Sequence, residues 1–100
     1  MFFSACGGDS TSKAEAFVKE KYPDAKILSY DETKKELGVI NKECLNQKYD
    51  VHTATFITTK TPNAEIEILE IWTDNKNGAM MVRHTHSIEQ FKAKNPKCFD

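Results

Sequence analysis

Glu65-Ile66-Glu67-Ile68-Leu69-Glu70-Ile71-Trp72-Thr73-Asp74-Asn75-Lys76-Asn77-Gly78 is the stretch that decides the fold. Strand alternation puts Ile66, Ile68 and Trp72 on one face, with Glu70 among them, and Leu69 and Ile71 on the other. Both faces are partly apolar, which is the pattern of a strand inside a sheet rather than at its edge. Asn77-Gly78 supplies a hairpin turn because both residue types tolerate positive φ, and Ala79–Thr85 is expected to return antiparallel. Upstream, Tyr49–Lys60 alternates in the same way, with Tyr49, Val51, Thr53, Thr55 and Ile57 on one face and His52, Ala54 and Phe56 on the other. Thr61-Pro62-Asn63 then turns the chain into Glu65, so the middle of the sequence reads as a three-stranded antiparallel meander.

Working outward, Ser12-Lys13-Ala14-Glu15 fits the S-x-x-E capping box and predicts a helix over about 13–22, with Ala14, Phe17, Val18 and Tyr22 on its apolar face and Pro23 ending it. Ala25–Tyr30 reads as a short strand stopped by the polar cluster Asp31–Glu36, and Leu37-Gly38-Val39-Ile40 as a further strand. Asn41–Lys48 is polar apart from Cys44 and Leu45 and reads as a loop. Ser87-Ile88-Glu89-Gln90 repeats the capping box as S-x-x-Q, with Ile88 and Phe91 as its apolar face and Asn95-Pro96 as its stop, predicting a short C-terminal helix. The expected fold class is therefore α+β: an N-terminal helix packed on an antiparallel sheet of about three to five strands, then a short C-terminal helix. Residues 12–100 form one domain after an N-terminal stretch, 1–11.

The balance of 14 Lys+Arg against 15 Asp+Glu, a net charge of -1, lacks the positive field on which phosphate-backbone binding depends, so nucleic acid is not an expected partner. No apolar run approaches the roughly 18 residues of a membrane span. Neither G-x-G-x-x-G nor G-x-x-x-x-G-K-[ST] occurs, so no phosphate-bearing cofactor is expected. A G-x-S-x-G elbow is likewise missing, and Glu65 and Glu67 alternate with Ile66 and Ile68 as the solvated face of a strand rather than as paired catalytic acids. These exclusions lead to the expectation of a protein that is not an enzyme and carries no cofactor.

Phe3-Ser4-Ala5-Cys6 resembles the lipobox of bacterial lipoproteins, in which small residues precede a cysteine that is acylated, and Gly7–Ser12 follows as a flexible tether. The basic and apolar regions that precede a lipobox in that family do not stand before Cys6 here, so residues 1–11 read as a truncated signal remnant plus tether. The resemblance implies lipidation at Cys6, a membrane attachment through the lipid, and a place on the periplasmic side of the bacterial envelope. Gly7 rather than Asp after the cysteine implies the outer membrane as the anchor. With Cys6 assigned to the lipid, Cys44 and Cys98 remain as a pair, and an oxidising compartment favours their disulfide. Tyr22-Pro23-Asp24-Ala25-Lys26-Ile27, Tyr49-Asp50-Val51 and Ile68–Gly78 also resemble, over about a third of the chain, envelope modules of the PepSY and cystatin-like types. That similarity bears on the fold; the Asp31–Lys48 segment and both Cys44 and Cys98 depart from it.

Two sets of residues are candidates for function. His84 and His86, two positions apart on a strand, share a face, and with Met80 further along that face and His52 from a neighbouring strand they would make a metal site for Cu(II) or Zn(II). The alternative is a pair of surface histidines beside Arg83. Tyr30, Tyr49, Leu69 and Ile71 are candidates for an aromatic-aliphatic patch on an uncovered sheet face, unless the Asp31–Lys48 segment and the C-terminal helix cover them. The expected function is a small envelope lipoprotein acting as a non-catalytic binding module, an inhibitor, immunity or accessory factor for a protein or another envelope component. The alternative is a periplasmic metal-binding protein using His84 and His86.

Overall fold

Strand β3 (His52–Lys60) organises the chain, and Thr53–Thr59 are buried along its whole length. The structure, a computed structural model, describes residues 10–99. On one side β3 pairs antiparallel with β4 (Ile66–Asp74), from His52 opposite Asp74 to Lys60 opposite Ile66, and β4 pairs in turn with β5 (Met80–His86). This is the meander that the alternating pattern predicts, with β4 inside the sheet. On its other side β3 receives two short strands, β1 (Lys26–Ile27) near its end and β2 (Asn46–Lys48) near its start. The result is a five-stranded antiparallel sheet. Four threonines fill β3 where a central strand needs branched side chains of moderate size. Thr53, Thr55 and Thr59 donate their hydroxyls to Asn75 Oδ1, Asn46 Oδ1 and the Glu67 carbonyl.

Each face of the sheet has its own core. Helix α1 (Ser10–Lys21) lays Ala14 and Val18 on Ile57, Leu69 and Ile71, with Phe17, Met80 and Val82 at the margin. Its start lies ahead of the predicted one, so Ser12 sits inside the helix instead of capping it, and Tyr22-Pro23 follows its end as expected. The opposite face carries Ala54, Phe56 and Ile68 against Leu37, Ile40 and Phe91. It is covered by helix α2 (Tyr30–Leu37), a 3-10 turn at Lys42–Leu45, and helix α3 (Ile88–Lys94) with its Ser87/Gln90 capping box.

Helix α2 departs from the expected strand-and-polar-loop reading of Ala25–Ile40. Ser29 Oγ accepts the Glu32 amide and Glu32 Oε1 accepts the Ser29 amide, the same reciprocal cap as at Ser87. Gly38, at φ 98°, closes the helix through its amide to the Lys34 carbonyl. Only Thr33 and Leu37 of this helix are buried, so its apolar period is too sparse to show in the sequence. The predicted strand at Leu37–Ile40 reduces to a single bridge between Ile40 and Phe99. The Asn41–Lys48 segment, read as loop, holds the 3-10 turn and β2. Cys44 and Cys98 form the expected disulfide, Cα to Cα 6.0 Å, beside the Asn41 amide bonded to the Cys98 carbonyl. Thus the chain's C-terminal end is fastened to the segment that covers the second face.

Candidate functional site

The strands β4 and β5 fall out of step between Glu70 and Ile71: Glu70 faces His84, but Ile71 faces Val82. Arg83, the one arginine of the sequence, is therefore an unopposed residue in a bulge. This slip redistributes β5. His84 and His86 stay on the second face, opposite Glu70 and Ile68, while Met81 joins them there opposite Trp72, and Met80 turns to the α1 side. Simple alternation would have kept Met80 with the histidines, which is why the predicted ligand set included it.

Glu70 is a carboxylate set among apolar neighbours, and two donors explain its place. The Trp72 indole N–H donates to Glu70 Oε2 at 2.6 Å, and His86 Nε2 meets Oε1 at 2.8 Å. Burial pushes the Glu70 pKa up, but the bonds from Trp72 and His86 and the charges of His86 and His84 outweigh it and hold the group below its ordinary value. His86 itself is buried, near the rings of Phe56 and Phe91, with centroids 6.1 and 6.5 Å away. The carboxylate that His86 meets is the one that holds the Trp72 indole N–H, so the imidazole and the indole share one anchor.

Trp72, so fixed, is the centre of a stack. His52 lies on it at 3.8 Å between centroids and 15° between planes, Tyr49 lies on His52 at 4.8 Å, and the Arg83 guanidinium sits 5.0 Å from the Trp72 centroid. His52 reaches the indole from β3 and Arg83 from β5, the strands on either side of β4. Stacking of this kind spends side-chain faces on one another and fixes long side chains at the surface. Beside the stack stand Val51, Tyr49 and Met81, which are 74%, 51% and 51% exposed. Asn75 ties the loop before β3 to the hairpin, its Nδ2 donating to the Tyr49 carbonyl. The hairpin end of the second face is thus an apolar, aromatic surface left open by α2 and α3.

The predicted site residues divide accordingly. Tyr49 lies on this open surface. Leu69 and Ile71 are buried beneath α1 and belong to the core, because the N-terminal helix claims that face of β4. Tyr30 opens α2, half-buried, with its hydroxyl donating to the Ile40 carbonyl. The metal set is not assembled: Met80 is on the other face, His52 is stacked on Trp72, and His86 is engaged with Glu70. His84 and His86 do lie together, with ring centroids 5.7 Å apart. Among the described residues no group of three or more His, Cys, Asp or Glu could hold a metal ion. Cys6 lies outside the described residues. Trp72, Glu70 and Arg83 were missed as site residues; the signal for Glu70 was a charged residue at an inward position of the strand that decides the fold.

Fold and surface together define an α+β domain with an open antiparallel sheet and an aromatic surface at one hairpin end. No protein-family model, curated protein or solved structure matches the chain.

Proposed function

We propose that this protein is a small non-catalytic binding module of the bacterial envelope, attached through a lipid on Cys6, that engages a protein partner with the hairpin end of its second sheet face. The observation that carries the reading is the exposure of Tyr49, Val51 and Met81 around the stacked His52, Trp72 and Arg83. Aromatic residues, methionine and arginine are the types enriched where proteins meet, and a stacked, pre-ordered set loses less entropy on binding than free side chains. Oxidised Cys44 and Cys98 suit an oxidising compartment, and their pairing leaves Cys6 as the odd cysteine, available for a lipid. The lipid would hold the module at the membrane, and the segment after Cys6 would let it reach a partner there.

The test compares wild-type protein with a Tyr49→Ser/Val51→Ser/Met81→Ser variant, each purified from envelopes of the native host after brief chemical cross-linking. All three side chains are exposed, so the variant keeps the wild-type circular dichroism and melting behaviour. The reading expects a partner retained by the wild type and lost by the variant. The same partners on both proteins would refute it. Intact mass of the membrane-extracted protein checks the anchor: diacylglycerol on Cys6 supports the address, and an unmodified Cys6 removes it.

A further inference from the structure

Strands β1 and β2 share one edge of β3 but do not meet. β2 pairs with Thr53–Thr55 and β1 with Thr59–Lys60, and between them the Leu28 amide reaches across to the Thr58 carbonyl at 2.9 Å. Over this break the start of α2 and the 3-10 turn at Lys42–Leu45 enclose a cleft of about 590 Å³. That is within the roughly 300–1,000 Å³ of sites that take small molecules, and far too small for a folded partner. Its apolar wall is made by Leu28, Tyr30, Leu45, Phe56 and Ile57. Two fastenings keep the wall in place: the Tyr30 hydroxyl on the Ile40 carbonyl at 2.8 Å, and the disulfide at Cys44 next to Leu45.

Thr58 also lines this cleft, and its hydroxyl, like that of Thr73 on β4, is buried without a partner among the described residues. The side chain is only 3% exposed, and Oγ1 has no hydrogen-bond partner among the described residues, whereas Thr53, Thr55 and Thr59 of the same strand each have one. A buried hydroxyl without a partner is costly and rare enough to ask for an explanation. We propose that the cleft is a binding site for a small uncharged molecule with an apolar body and a hydrogen-bonding end, which the Thr58 hydroxyl receives. The charged residues of the lining are Glu15, Lys42 and Glu43, of both signs, and the Lys42 ammonium lies over the Tyr30 ring, 5.4 Å from its centroid. A charged end carried down to Thr58 would find a lone hydroxyl in place of water, which does not compensate its desolvation. The site is independent of the aromatic surface at the hairpin end.

The experiment titrates the full chain with three eight-carbon probes that share a body and differ in their end, 1-octanol, octanoate and octylamine, and follows the amide NMR shifts. Octanol is expected to move the amides of Leu28, Leu45, Phe56 and Ile57 to saturation, with octanoate and octylamine at least tenfold weaker. Thr58→Val keeps the shape and branching but removes the hydroxyl, and should weaken octanol by about fivefold, the worth of one ordinary hydrogen bond. Thr58→Ser keeps the hydroxyl and should retain the binding. The proposal is overturned if octanol moves none of these amides, if Thr58→Val binds it as well as the wild type does, or if either charged probe binds more tightly.

Discussion

Glu70→Ala is the substitution that most strains the account of the open surface, because Glu70 is what fixes Trp72. The side chains of Glu70 and His86 are 14% and 5% exposed, and the carboxylate serves both the indole N–H and the imidazole. Removing it leaves two polar groups in an apolar setting, each orphan costing about 1–3 kcal/mol, so a loss of about 2–6 kcal/mol is expected. For a domain of this size about 3 kcal/mol corresponds to a fall in Tm of roughly 12 °C or more. Glu70→Gln retains an acceptor for Trp72 and a donor for an unprotonated His86 nitrogen, and should cost about 1 kcal/mol. Urea unfolding followed by circular dichroism gives the stabilities, and the fluorescence of Trp72, the one tryptophan, reports its surroundings separately. The folded-state pKa of Glu70 lies below its ordinary value of 4.5, so ionised Glu70 contributes stability that is fully present above that pH. This contribution disappears as pH falls through the lowered folded-state value. The stability gap between wild type and Glu70→Gln should therefore be widest above about pH 4.5 and close on acidification. A Glu70→Ala protein within about 0.5 kcal/mol of wild type, with unchanged fluorescence, would refute the reasoning.

Three further outcomes follow from the same contacts. Cys44→Ser/Cys98→Ser reopens a loop of 54 residues and should lower stability by about 4 kcal/mol in the chain-entropy treatment, measured by denaturant unfolding under matched conditions. His84→Ala, at an exposed position, should stay within about 0.5 kcal/mol of wild type, whereas His86→Ala leaves the Glu70 carboxylate without its buried partner and should cost about 3 kcal/mol. Glu32, bonded to the Ser29 amide and paired with Lys26 at 3.0 Å, should titrate at about 2 by carboxyl NMR, and Lys26→Met should move it upward. Its contribution to stability is present above 4.5 and lost as pH falls toward 2.

The meander, the N-terminal helix and the capped C-terminal helix were legible in the sequence because each rests on a local signal: period-two alternation, a 3.6-residue apolar period, or a capping box. Helix α2 was legible in principle, since Ser29-x-x-Glu32 and Gly38 bracket it as Ser87-x-x-Gln90 opens α3, but beyond Tyr30 only Thr33 and Leu37 turn inward, too few to show an apolar period. Leu69 and Ile71 could not be told from surface residues by alternation, which separates two faces without saying which one a helix covers. The site failed for a sharper reason. A one-residue slip at Arg83 exchanges the faces of Met80 and Met81, and no feature of Met80-Met81-Val82-Arg83-His84 announces it. Trp72, His52 and Arg83 are distant in sequence and become one stack only when β3, β4 and β5 are in register.

The central claim is that the hairpin end of the second face meets a partner, and a photo-reactive amino acid placed at single positions in the native host tests it most directly. Installed at Val51 or Met81, beside the Trp72 stack, it should give on irradiation the same discrete cross-linked protein, and the yield should fall when Arg83→Ala is added. Installed at Lys35 on α2 or Glu89 on α3, both exposed and away from the stack, it should give none. Adducts from Lys35 and Glu89 with none from Val51 and Met81 would contradict the account.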